Sequence, residues 1–185
     1  MNIGIFLFRA LYFFLPAYLT NITASLSRKI KFLKFIEKPV DLGRTLKGYP
    51  IFGSHKTWRG VICGVVTGIL TVYFQRWLYQ YQFTRENSLV AYDKIDVFVF
   101  GFLMSLGAAL GDLFFAFLKR RQRIAPGAPW IPFDQINYVI GAFFFLMPFF
   151  PIDFIYWLTI LVFTFLLHLI FNYLGYYLGL SRAKF

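Results

Sequence analysis

Asp112 stands inside an apolar run, and seven residues later the chain turns basic with Lys119, Arg120, Arg121 and Arg123. A Pro/Gly loop follows (Pro126, Gly127, Pro129, Pro132), and a second carboxylate, Asp134, opens the next apolar run. Ionisable groups inside or beside membrane segments are functional candidates by default. Two acids in a low-dielectric site repel each other unless a cation intervenes. A divalent ion held by two carboxylates and a substrate phosphate is the usual Mg²⁺ arrangement. The spacing leaves two readings. In one, Asp112 and Asp134 hold a divalent cation and the basic cluster binds phosphates. In the other, Asp112 pairs with a base as structural glue, Asp134 caps the helix it opens, and the cluster is membrane-edge charge that fixes topology.

Other groups could join this chemistry. Residues 52–60, FGSHKTWRG, place Lys56, Thr57 and Arg59 at the start of another apolar run. Small residues with free backbone N–H groups, beside Lys and Arg at a helix N-terminus, suit a phosphate cradle. It is not a Walker A loop, because the GxxxxGK[ST] spacing is missing. His168, Asn172 and Tyr176 recur at i, i+4 and i+8 and share one helix face. That face is either a satisfied packing surface or a polar cluster inside a bundle. The lone Cys63 excludes an internal disulfide and a thiolate metal site and reads as a packing residue.

The elements that must position these groups follow from composition. Of 185 residues, 59% are hydrophobic and only 15% charged, with mean hydropathy +0.63. A soluble domain is about half apolar and about a quarter charged. The chain therefore reads as a single all-α integral membrane domain, a bundle of about five transmembrane helices with ordered loops. The expected spans are about 3–26, 58–79, 95–118, 136–150 and 154–178. The net charge of +11 points to lipid headgroups or phosphates, with nucleic acid the weaker reading because no soluble domain remains to present a groove reader. Glycines recur every four residues on two of the runs (Gly60, Gly64, Gly68 and Gly107, Gly111), surfaces for close packing within the chain or between two copies.

Lys and Arg set the expected orientation. Residues 27–59 carry nine of them and residues 119–123 carry four, with Arg182 and Lys184 in the tail. The loop after the second span has Arg85 and Lys94, and the loop after the fourth has none. The positive-inside rule places loops 27–57 and 119–135 and the C-terminus in the cytoplasm, and the N-terminus outside. The glycines and Pro50 of the first loop predict ordered turns in its second half, and its first half predicts a basic interfacial helix.

Against this frame, GDLFFAFLKRR followed by PG and then DQ resembles the signature of CTP-dependent lipid cytidylyltransferases, most of all the CDP-archaeol synthase branch, with CDP-diacylglycerol synthase a more distant relative. Pro16-Ala17-Tyr18, the VDLGRTLKGYPIFGSHKTWRG segment, and His168 with Asn172 are similar to that branch in the same order. The resemblance implies a reaction between CTP and a membrane lipid phosphate that gives a CDP-lipid and pyrophosphate with Mg²⁺. It implies Asp112 and Asp134 as metal carboxylates, catalytic together with Lys119 and Arg120. It implies Lys56, Thr57, Arg59, Arg121, His168 and Asn172 as substrate-binding groups. Two positions depart from the family pattern: Ala116 stands where Ser is frequent, and Asn137 where a third acid often follows. A CDP-alcohol phosphotransferase or polyprenyl-phosphate sugar transferase would need clustered carboxylates, which eight scattered acidic residues do not supply. A non-enzymatic transporter or assembly protein would explain an intramembrane Asp but leaves the Gly/Pro-rich loops without a role.

Overall fold

The computed structural model describes residues 2–29, 31–125 and 128–177. Its elements are α1 (Ile3–Leu26), a two-stranded hairpin β1 (Thr45–Leu46) and β2 (Tyr49–Pro50), α2 (Trp58–Leu78), α3 (Gln82–Asn87), α4 (Val97–Arg121), α5 (Phe133–Leu146) and α6 (Phe154–Tyr177). Helices α1, α2, α4 and α6 are long and apolar enough to cross a membrane. The fifth apolar helix, α5, has only 14 residues, about 21 Å at 1.5 Å per residue. The fold is thus the expected helical membrane bundle.

Residue chemistry sets the helix ends. Asn2, Thr57 and Asp96 cap α1, α2 and α4 by accepting from Gly4, Gly60 and Val99 N–H groups, which satisfies donors that a helix start leaves over. Helix α5 stops just before Pro148, whose ring excludes continuation. Pro16 lies within α1 and has no N–H for the carbonyl of Tyr12, four residues back. The buried Gln75 of α2 donates its Nε2 to that carbonyl instead, at 2.5 Å. Arg9, within the apolar run of α1, donates to the Glu86 carbonyl of α3 at 2.9 Å.

Packing uses both glycine faces within the chain. A Cβ on Gly64 would lie 2.8 Å from the Thr20 carbonyl of α1, and one on Gly111 would lie 2.7 Å from the Gly141 Cα of α5. Small residues let these backbones meet, the main means of helix association where lipid removes the hydrophobic drive. The core that closes over them is aromatic: Phe13, Phe14, Tyr92, Phe100, Tyr138 and Trp157 are all buried. Ser27–Lys29 and Lys31–Ile36 form short 3-10 turns rather than the expected basic interfacial helix, with Phe32 and Phe35 largely exposed. The segment 80–95, expected to be a loop, contains α3.

Candidate active site

The first loop is closed on itself before it meets the bundle. Pro39 bridges Thr57, Val40 N–H donates to the Lys56 carbonyl at 2.8 Å, and Trp58 N–H donates to the Lys38 carbonyl at 2.9 Å. Inside this closure, Lys47 and Gly48 take positive φ to turn β1 into β2, as a tight hairpin requires. Asp41 is the knot. Its Oδ1 accepts from Gly43 N–H at 3.0 Å, and its Oδ2 accepts from Phe52 and Gly53 N–H, each at 2.9 Å. Burial pushes the Asp41 carboxyl up, but the N–H donors of Gly53, Phe52 and Gly43 outweigh it and hold the carboxyl below its usual value. Sequence reasoning passed over Asp41. The signal was an Asp two residues before a Gly, the pattern of an Asx turn.

This loop lowers Lys56 onto α4. Lys56 Nζ donates to both oxygens of Asp112, at 2.7 and 2.6 Å. From α5, Asn137 Nδ2 donates to Asp112 Oδ1 at 3.1 Å, while its own Oδ1 accepts from Tyr138 N–H. The second carboxylate has a parallel arrangement: Asp134 Oδ2 accepts from Lys119 Nζ at 2.5 Å and from Trp130 N–H at 2.8 Å. Asp134 lies in the first turn of α5 rather than at its cap, which is Pro132. The two carboxylates and two lysines line one polar cavity of about 570 Å³, together with Arg120, Thr57 and His168. Arg120 is buried, donates to the Ile124 carbonyl, and keeps a buried Nε–H without a partner among the described residues. Ala116 lines the same wall and leaves it without a hydroxyl.

The expected site residues therefore divide. Asp112, Asp134, Lys56, Lys119, Arg120, Thr57 and His168 come together. Thr57 spends its hydroxyl on the α2 cap. Arg59 and Arg121, expected as phosphate ligands, do not line the cavity. The buried Arg59 donates to Glu37 at 2.8 Å. Arg121 lies over the Phe117 ring and donates to the carbonyls of Leu46, Tyr49 and Pro50, pinning the hairpin to α4. The guanidinium fork reaches several carbonyls of the hairpin at once, each a charge-assisted hydrogen bond. The Asn172 side chain lies outside the described residues, as do Pro126, Gly127, Arg182 and Lys184. Sequence reasoning also missed four polar lining residues, Thr20, Asn21 and Ser25 of α1 and Arg28 just beyond it. Their signal was a cluster of polar residues at the end of an apolar run.

A polar cavity with paired acids and bases, set into one end of an apolar helical bundle, can hold an anionic headgroup beside a lipid phase. Comparison with known proteins agrees. A family profile described as CarS-like, CDP-archaeol synthase, matches residues 3–185. The chain is 36% identical over 176 residues to a CDP-archaeol synthase of Pyrobaculum islandicum, covering 93% of this chain and 96% of that one. It is 35% identical over 177 residues to a CDP-archaeol synthase of Methanocaldococcus jannaschii, covering 95% of each. A solved structure, described as an intramembrane enzyme for archaeal membrane lipids biosynthesis, superposes with TM-score 0.69 over 88% of this chain and 92% of its own, at 24% identity, and shares the fold. The chain belongs to the CDP-archaeol synthase family.

Proposed function

We propose that the protein transfers the cytidylyl group of CTP to a lipid phosphate that stays in the bilayer, releasing pyrophosphate. The observation that carries this reading is the cavity in which Asp112, Asp134, Lys56, Lys119 and Arg120 meet at one end of an apolar bundle, in a chain of this family. The attacking oxygen belongs to a phosphate that is already anionic at neutral pH, so no strong general base is required. It forms a bond to the α-phosphorus of CTP as the bond to the β-phosphate breaks and pyrophosphate leaves. The protein must hold two anions together and offset the charge of the transition state, a task of positioning and electrostatics. Arg120, with donor capacity left over, and the two lysine ammoniums supply the positive field.

Asp112 and Asp134 are hard oxygen donors suited to Mg²⁺, and Lys56 bridging both Asp112 oxygens marks that carboxylate as a place for positive charge. No group of three or more His, Cys, Asp or Glu stands together among the described residues, so phosphate oxygens and water would complete the coordination, the common Mg²⁺ pattern. Bound there, the ion would neutralise phosphate charge and release both lysines toward substrate. The Lys/Arg distribution supports a cytoplasmic site, with the N-terminus outside and the C-terminus inside. Membership of this family does not favour a transporter.

The test uses purified protein, CTP, Mg²⁺ and a panel of ether and ester lipid phosphates. The expected result is pyrophosphate release with a CDP-lipid product that depends on both substrates. No release with any lipid phosphate would refute the reading.

A further inference from the structure

A second cavity, of about 610 Å³, lies on the opposite face of α4 from Asp112, against the outer face of α5. Its twelve lining residues are all Phe, Leu, Ile or Gly. Leu110, Phe114 and Phe117 follow one face of α4, and Ile140 and Phe144 follow one face of α5. Phe114 and Phe144 are exposed where the bilayer would lie. Ile51 and Phe52, carried by the hairpin loop, roof the groove. Phe52 and Leu113 are walls of both cavities.

We propose that this groove seats the part of an apolar chain nearest the headgroup of the lipid phosphate substrate, with the chain passing Phe52 and Leu113 from the polar cavity. The proposal rests on the cytidylyltransferase reading. With Phe52 and Leu113 common to both linings, the groove adjoins the polar cavity, so a molecule with its phosphate in one can lay an apolar chain in the other. The roof of Ile51 and Phe52 closes the groove toward the loop, and the walls it shares with the polar cavity tie it to whatever that cavity holds, which favours a chain of the bound lipid over a helix of a second copy. Because the chain is in lipid before and after binding, the groove gains little from hydrophobic transfer. Its effect is to fix where the phosphate lies.

Leu110→Trp and Ile140→Trp fill the groove from its two helices. The measurement is kcat/KM at saturating CTP for a long-chain lipid phosphate, divided by that for a six-carbon analogue with the same headgroup. That ratio is expected to fall at least tenfold, with CTP affinity in the absence of lipid at the wild-type value. An unchanged ratio in folded variants overturns the proposal, as does a shift in oligomeric mass caused by the substitutions, which would assign the groove to a second copy. A second measurement needs neither a folded variant nor turnover. A lipid phosphate with a diazirine near its glycerol, photolysed with wild-type protein in nanodiscs, is expected to label Leu110, Phe114, Ile140 or Phe144. Adducts confined to other helices overturn the proposal. Wild-type protein that labels in the groove but releases no pyrophosphate would refute the cytidylyltransferase reading and leave the groove standing.

Discussion

Asp112→Asn separates the two roles open to this carboxylate, structural glue and reaction chemistry. A charge pair near a protein surface is worth on the order of 4 kcal/mol at 4 Å before desolvation. Removing one member of a buried pair costs about 3–5 kcal/mol, and breaking an exposed pair costs about 0–1 kcal/mol. With side-chain exposures of 30% for Lys56 and 25% for Asp112, the pair lies between these limits, at about 1–3 kcal/mol. Asparagine keeps a carbonyl that can accept from Lys56 or Asn137, which moves the cost toward the lower figure. If the carboxylate were only glue, folded variant would turn over at a rate close to wild type. If it holds charge at the reacting phosphates, kcat/KM falls by about 10³-fold or more, roughly 4 kcal/mol of transition-state stabilisation. The assay is CTP-dependent pyrophosphate release, normalised to monodisperse protein, beside a thermal unfolding curve in the same detergent. A folded variant that retains more than a tenth of wild-type turnover would refute the chemical role.

Three further outcomes follow from the packing and the loop. Gly111→Ala places a methyl against the Asn137 carbonyl and the Gly141 Cα, and should destabilise by about 1–3 kcal/mol while lowering activity as α5 shifts away from Asp112; an unchanged melting temperature would contradict the close contact. Asp41→Asn turns an amide N–H₂ toward backbone donors or leaves them unpaired, costing about 2 kcal/mol near neutral pH, measurable by thermal unfolding. Because the folded Asp41 carboxyl titrates below its unfolded value, its contribution is complete above about pH 4 and is lost as pH falls through the folded pKa; wild type should lose stability over that acid range more steeply than the variant, and equal slopes would count against the knot. Arg121→Lys replaces a fork that reaches three carbonyls with a point charge, so hydrogen exchange across 44–52 should accelerate, and CTP-dependent turnover should fall by less than for Asp112→Asn; a loss as deep would return Arg121 to the phosphate site.

The spans were legible because each is an apolar run closed by its own chemistry. Asn2 and Thr57 mark starts that the helices respect, whereas the run expected over 136–150 is helical over Phe133–Leu146 and stops before Pro148. The expected end of α4 at 118 was early by three residues, because Lys119 and Arg121 remain helical once Asp134 and the hairpin carbonyls receive them. That is tertiary information, absent from local composition. The same holds for Arg59: a Lys–Thr–Trp–Arg start promises phosphate ligands, but helical rotation sends Arg59 toward Glu37 and only Lys56 toward Asp112. Asn137 was read as a missing acid, and the fold gives it a definite task, bridging the α5 backbone to Asp112. Residue type picked out groups that the fold brings into one cavity. Which cation meets which anion depended on how a closed loop is set down on the bundle.

The brevity of α5 has a consequence for how substrate arrives. At about 21 Å, against a hydrocarbon core of roughly 30 Å, this helix leaves part of the membrane's depth to be filled by other means. Asp134, in its first turn, and Asn137, one turn on, line the polar cavity, so the cavity is set where this short helix begins. A lipid headgroup can then sink to the reacting groups instead of being lifted from the bilayer, and its chains stay solvated by neighbouring lipids throughout. Extraction would expose tail carbons to water at about 0.8 kcal/mol each, and hydrophobic mismatch at one short helix costs only fractions of a kcal/mol per Å. Delivery of the lipid phosphate and departure of the CDP-lipid thus become lateral diffusion in two dimensions, with only CTP and pyrophosphate crossing the water interface.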